Sequence, residues 1–183
     1  MDFPTVVRQR RSIRTFAPRE VPEAVLREVC AAALLAPSSL GGQPWFFVAV
    51  REPGIKRALA ELKNRHCPPE KRMYSADFLA QAPVVLVVCV ERARAHDRGV
   101  ETAVLATAHV LLAAADQGLG SVYLSAYKAD TPAVAQEIRE LLGIPEGVDP
   151  VTIVPLGYPA EVPPERAVRA LDEVLFHERF GRK

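Results

Sequence analysis

The chain has little that would staple, anchor or address it. Only three cysteines occur in 183 residues, at Cys30, Cys67 and Cys89. So few and so dispersed, they exclude a disulfide framework, and their spacing fits no common zinc or iron–sulfur pattern. No metal site is expected. Cys30 and Cys89 sit in apolar runs, where cysteine acts as a small hydrophobe. His66-Cys67 reads as loop. Charge of either sign is not in excess: the formal net charge is +1, which gives no general field for nucleic acid or an anionic membrane. The N-terminus lacks an apolar signal region, and no run approaches membrane-span length. The expectation is a cytoplasmic protein with neither nucleic acid nor membrane as partner. Repeats and low-complexity stretches are missing. So are the G-x-G-x-x-G fingerprint and the P-loop, which argues against a doubly wound nucleotide fold. No catalytic triad or carboxylate pair stands out.

What is present is a core. Apolar residues make up 49% of the chain, enough for one domain over residues 1–183 to bury most of its apolar surface without staples. Asp2-Phe3-Pro4 opens a short helix with proline at an early position, and Phe3, Val6, Val7 and Arg10 share one face. A second helix starts near Val21-Pro22 with the stripe Val25, Leu26, Val29, Cys30, Ala33. Trp45 to Val50 and Pro83 to Val90 read as buried strands. Ile55 to Leu62 is a short helix, and Asn64 to Tyr74 a polar loop broken by Pro68-Pro69. Gly99 to Gln117 is a long helix, apolar almost all round. Such a helix must be covered on all faces, which suggests a central position shared with a second subunit. Ser121 to Leu124 reads as a third strand. Thr131-Pro132 reads as an N-cap followed by proline in the first turn, with Gly143 as the stop. Val151 to Leu156 is a fourth strand. The elements lack the beat of βαβ units, so the fold class expected is α+β.

Four segments carry polar chemistry. Arg10-Arg11-Ser12-Ile13-Arg14-Thr15-Phe16 concentrates three guanidiniums and a hydroxyl beside apolar residues. Arginine forks suit phosphate because they deliver paired, charge-assisted hydrogen bonds. A solvated basic turn, or a nucleic-acid contact using Arg8, Arg10, Arg11 and Arg14, is the competing reading of that run. Pro37-Ser38-Ser39-Leu40-Gly41-Gly42-Gln43-Pro44-Trp45 leaves a helix through small polar residues that let backbone amides approach a flat ligand. Gly118 to Ala126 and Leu156-Gly157-Tyr158-Pro159-Ala160-Glu161, followed by Arg166 and Arg169, complete the set. Each is weak alone.

Together and in this order, from Arg10 to about Val174, the segments resemble the nitroreductase family of flavoproteins. The resemblance rests on Arg-Arg-Ser-Ile-Arg-x-Phe, Pro-Ser-Ser-x-x-x-Gln-Pro-Trp, and Leu-Gly-Tyr-Pro-Ala-Glu before an Arg-x-Leu-x-Glu-Val tail. It implies a three-layer α+β sandwich around a mixed sheet, and a homodimer with an intertwined C-terminal tail and two FMN sites at the interface. It further implies that Arg10 and Ser12 hold the FMN phosphate with Arg169, and Arg166 as a second helper. Arg11 would contribute backbone or ribityl contacts. Arg14 would approach the pyrimidine edge and tune the flavin, with no other catalytic side chain. Pro37, Ser38 and Ser39 would come from the other subunit, with Gln43 nearby. Ser125 and Ala126 would offer backbone N–H groups to the ring where some members carry a Glu-Gly pair. Asn64 to Tyr74 would be what remains of the insertion that covers the active site in larger members. The implied activity is ping-pong reduction of nitroaromatics, quinones or related acceptors by NAD(P)H. Flavin fragmentation, reductive dehalogenation and non-catalytic flavin binding are the alternatives on the same fold.

Overall fold

The eight residues of β2 (Val84–Glu91) are the centre of the molecule, and they are apolar throughout except for the last. A strand shows alternate residues to opposite faces, so an unbroken apolar run requires helices on both sides. The computed structural model, which describes residues 1–68, 75–126 and 132–182, has that arrangement. On one face Val85, Val87 and Cys89 pack with α3 (Pro53–Arg65), α4 (Phe78–Gln81) and α7 (Ala133–Leu142). On the other, Val84 and Leu86 pack with α2 (Glu23–Ala33) and α6 (Gly99–Asp116).

The sheet has five strands. β1 (Trp45–Val50) pairs with β2, β2 with β5 (Val148–Gly157), and β5 with both β3 (Gly120–Ser121) and β4 (Leu124–Ser125). Every pairing between strands is antiparallel. The mixed sheet expected from the sequence is therefore corrected: the one parallel pairing among the described residues is an isolated bridge between Ser12 and Ser121. The single strand expected over Ser121 to Leu124 is in fact two short ones. The fourth strand begins before Val151, at Val148, because the partner's register shifts between Val88 and Cys89 and so accommodates Pro150.

Local chemistry explains the helix ends. Asp2 caps α1 (Phe3–Gln9) by accepting from the Thr5 N–H at 3.1 Å. Gly143 stops α7 in the left-handed region, at φ 63°. Thr131 lies outside the described residues, and Pro132 is the N-cap of α7 rather than a residue of its first turn, which starts at Ala133. Asn64 and Arg65 belong to α3 rather than to a loop. The expected lid over Asn64 to Tyr74 falls partly on residues 69–74, which are also outside the described set. Four short helices have no counterpart in the sequence reading: a 3-10 turn over Ser39–Gly41, α4, α5 (Arg92–Ala95) and α8 (Leu171–Val174).

The long helix α6 is half covered. Thr102, Ala103, Ala106, Thr107, Val110 and Ala114 are buried, and the Thr107 and Thr152 hydroxyls meet at 2.6 Å. Val104 and Leu105 face outward. Contrary to the sequence reading, α6 is long and apolar enough to cross a membrane by length and composition. Its buried face packs on α2, β2 and β5 as a core helix does.

Glu52 caps α3, accepting from the Gly54 and Ile55 N–H groups at 2.8 and 2.6 Å. These bonds hold its pKa below the ordinary 4.5. A depressed folded pKa means the stabilisation is complete above the unfolded value and is lost as pH falls through the folded one. Wild type should therefore unfold at a higher temperature than Glu52→Ala at neutral pH. The gap should close as pH drops below about 4.5. A gap unchanged through that acid titration contradicts the cap.

Candidate functional site

The segment after α1 is held to the rest of the chain by its backbone. The Ile13 N–H donates to the Ser121 carbonyl at 2.9 Å, and the Ala17 N–H to the Tyr158 carbonyl at 2.8 Å. The Ala160 N–H returns a bond to the Thr15 carbonyl at 2.9 Å. Between these, the N–H groups of Arg14 and Thr15 both donate to Glu161 Oε1, at 2.5 and 3.1 Å. Apolar Ile13 and Phe16 are buried, while Ser12, Arg14 and Thr15 are exposed. The alternation turns the polar side chains outward from a fixed strip.

Two glycines make room for it. A Cβ on Gly120 would lie 2.7 Å from Ile13 Cγ2, and one on Gly157 would lie 2.5 Å from the Pro83 ring and 2.9 Å from Phe16.

The strip gathers positive charge. Arg166 donates to the Arg10 carbonyl at 3.1 Å. Burial first, then the neighbouring guanidiniums of Arg166 and Arg11, pull Arg10 below the usual arginine range. Ten ion pairs occur among the described residues, and none engages Arg10, Arg11 or Arg166. Neighbouring guanidiniums that make no ion pair are suited to an anion, although the Glu161 carboxylate lines the same cleft. Arg14 lies over the Phe78 ring at 5.9 Å. Arg169 is paired with Glu173 at 3.2 Å.

A cleft of about 200 Å³ runs beside Arg10, Arg11, Ser121 and Glu161. Pockets for ligands of cofactor size are usually ~300–1,000 Å³, so this cleft is smaller than such a ligand needs. A larger cleft, about 540 Å³, lies by Arg19, Arg51 and Lys56. Its cations are already engaged: Arg51 with the Val21 carbonyl and Glu23, Lys56 with the Ala82 carbonyl, Arg19 over the Tyr158 ring. The guanidiniums that make no ion pair, Arg10 and Arg11, line the smaller cleft together with Glu161.

The other expected residues lie apart from the strip. Pro37, Ser38, Ser39 and Gln43 precede β1, whose Trp45 pairs with Val90. The Gln43 N–H donates to Ser38 Oγ at 3.1 Å, and both Leu40 and Gln43 hold positive φ. The arginine strip is tied to the other end of the sheet, beside Gly157, where Leu156 pairs with Val84. From Val84 to Val90 the strand rises about 20 Å. The serine loop and the arginine strip of one protomer therefore sit at opposite ends. Ser125 and Ala126 lie between, at the level of Thr152 and Val151. The Ala126 N–H donates to the Val151 carbonyl at 2.8 Å, so it is already committed within the sheet. The Ser125 carbonyl accepts from Lys63 Nζ at 2.7 Å.

Against this geometry the comparisons are decisive. The Nitroreductase family profile matches residues 7–158. The chain belongs to the nitroreductase family. A putative NADH dehydrogenase/NAD(P)H nitroreductase of Methanothermobacter thermautotrophicus is 36% identical over 91% of this chain and 82% of its own length. An iodotyrosine deiodinase of Thermotoga neapolitana is 28% identical over 87% of this chain and 90% of its own. Among solved structures, an FMN-dependent nitroreductase of Clostridium difficile superposes with a TM-score of 0.81 at 26% identity, covering 96% of this chain and 98% of that one. The nitroreductase fold read from the sequence is thus the fold present.

Glu161, Gly120 and Lys63 had no assigned role in the sequence. Glu161 was visible as part of Tyr-Pro-Ala-Glu, but its partners are Arg14 and Thr15, nearly the whole chain away. His66 and Cys67 follow α3 as the loop expected, and the His66 ring meets Glu137 at 2.7 Å.

Gly120→Ala should force Ile13 off the sheet and cost about 1–3 kcal/mol, as overpacking does. Thermal unfolding should show the loss. A variant as stable as wild type shows that the strip is not held there.

Proposed function

We propose that this protein is a single-domain, FMN-dependent oxidoreductase that takes electrons from NAD(P)H and passes them to nitroaromatics, quinones or related acceptors by a ping-pong mechanism. The observation that carries this reading is the cluster of Arg10, Arg11 and Arg166, which makes no ion pair among the described residues, on a strip anchored to the sheet of a nitroreductase-family chain. The M. thermautotrophicus and C. difficile relatives are named for NAD(P)H and FMN, which agrees with it.

The donor set fits the cofactor. Arg10 and Arg166 would hold the phosphate through charge-assisted bonds, with Ser12 and Arg11 beside them. Arg166 is the tail arginine that lies against Arg10, and Arg169 would serve only if it left Glu173. Arg14 would set a fixed positive charge at the pyrimidine edge, favouring the more negative redox form through preorganised electrostatics. Ser125 would face the ring with its backbone, Ala126 acting through the sheet bond that fixes it. When bound, FMN supplies hydride transfer between nicotinamide and acceptor. The protein's part is to orient and polarise.

The site would be completed by a second copy. Pro37, Ser38, Ser39 and Gln43 cannot reach their own protomer's arginine strip, and exposed apolar side chains surround them. Leu35 is 81% exposed and Leu40 is 86% exposed. Val104 and Leu105 of α6 add to that surface, and the tail adds Val162, Val168 and Leu171. Exposed apolar area of this kind marks an association surface. A homodimer with an intertwined tail would cover it and bring one copy's serine loop to the other's arginines.

A second reading has its own support: the T. neapolitana relative is named for deiodination. Turnover of halotyrosine by the reduced protein separates the two.

Purified protein should be yellow, release FMN on denaturation, and bleach with NAD(P)H under anaerobic conditions. Arg10→Ala should weaken FMN binding by about 1.5–3 kcal/mol, roughly ten- to a hundredfold, with little change in the apoprotein's unfolding temperature. A colourless protein that does not take up added FMN refutes the proposal. A yellow protein that no nicotinamide bleaches leaves it a flavin binder rather than this enzyme.

A further inference from the structure

The last turn of α3 is fastened in three directions. Lys63 Nζ donates to the Ser125 carbonyl on β4 at 2.7 Å. Asn64 accepts from the Ala76 N–H and donates to Asp77 Oδ1, both at 2.7 Å, and so holds the entry to α4. Arg65 and His66 both engage Glu137 of α7. Lysine usually leaves its ammonium in water and surrenders rotamer entropy to be fixed elsewhere. Here it is half-buried and directed at a backbone oxygen.

The register explains which oxygen. Ala126 sits opposite Val151 and donates to it. Antiparallel pairs alternate between hydrogen-bonded and non-hydrogen-bonded. Ser125, opposite Thr152, therefore turns its own N–H and C=O away from β5. Lys63 meets that outward carbonyl.

We propose that Lys63 is a positioning residue for the flavin reaction: its ammonium fixes the outward Ser125 backbone and places a positive charge on the Ser125 side of the site, apart from Arg14. This rests on the reading above that Ser125 faces the FMN ring. A cation held there stabilises the more negatively charged, reduced cofactor more than the oxidised one. A purely structural strut would support both redox forms alike.

The test is the two-electron midpoint potential of bound FMN in the holoprotein, with FMN dissociation constants and thermal unfolding measured beside it. Lys63→Met should weaken binding of reduced FMN about tenfold more than that of oxidised FMN, a negative shift of ~30 mV for a two-electron couple. Lys63→Arg keeps the charge and should recover most of the potential. Lys63→Gln, which keeps a donor without the charge, provides the same reading if the methionine variant does not fold, and it should shift as the methionine variant does. An unchanged potential in the neutral variants, with FMN bound, overturns the inference while leaving the proposed function standing. Loss of affinity for both redox forms in equal measure also overturns it, because that is the behaviour of a strut. A wild-type protein that does not bind FMN overturns both proposals together.

Discussion

The backbone of residues 12–17 is hydrogen-bonded along its length to segments more than a hundred residues away, and the rest of the site follows from that attachment. Ile13 takes Ser121, Arg14 and Thr15 take Glu161, and Ala17 takes Tyr158. A run of arginines in a free turn would be solvated and mutually repelled. Fixed to a sheet edge, with Ile13 and Phe16 buried beneath it, the run cannot spread. Arg10 and Arg11 then stay close to one another and to Arg166, a concentration of like charge that an anion would relieve. Gly120 and Gly157 permit the close approach, and Glu161 satisfies the two N–H groups that the sheet leaves over.

The same attachment separates the protomer's two polar loops. The arginine strip is bound to the Gly157 end of the sheet and the serine loop feeds the Trp45 end. Burial on both faces fixes the register of β1, β2 and β5, since a slip by one residue would exchange the two cores. The loops of one copy cannot be brought together without breaking that register. Cys89 shows how dry the interior is: burial pushes its thiol up to about 12, so it is packing, not chemistry. The chemistry is at the rim, where the described residues offer cations, hydroxyls and backbone groups that bind and orient.

Much of this was legible in the sequence because it is periodic or local. The apolar run of β2, the stripe of α2, the Asp2 cap and the Gly143 stop each carry their signal within a few residues. The four motifs identified the family through their order. What escaped notice has no local signature. The break between β3 and β4 depends on how Ser121 and Leu124 pair with β5, and the antiparallel sense of the sheet depends on crossovers that composition does not encode. The apolar run places the fourth strand at Val151 to Leu156, yet β5 begins at Val148 with a register shift between Val88 and Cys89. The contacts of Lys63, His66 and Glu161 have no local signal because their partners, Ser125, Glu137 and the Arg14–Thr15 amides, are distant in sequence. The resemblance implies Arg169 at the phosphate ahead of Arg166, and only the path of the tail sets Arg166 against Arg10 and leaves Arg169 with Glu173.

The central claim is that a complete site takes its arginine strip from one copy and its serine loop from the other. Differently tagged Arg10→Ala and Ser39→Phe chains, co-expressed and purified as the hybrid, test it directly. In the hybrid one site would carry both lesions and the other neither. FMN titration should find one site per hybrid dimer with wild-type affinity, whereas each parent dimer has none. A hybrid in which every FMN site is weakened would show that strip and loop serve the same copy's site, and would contradict the account.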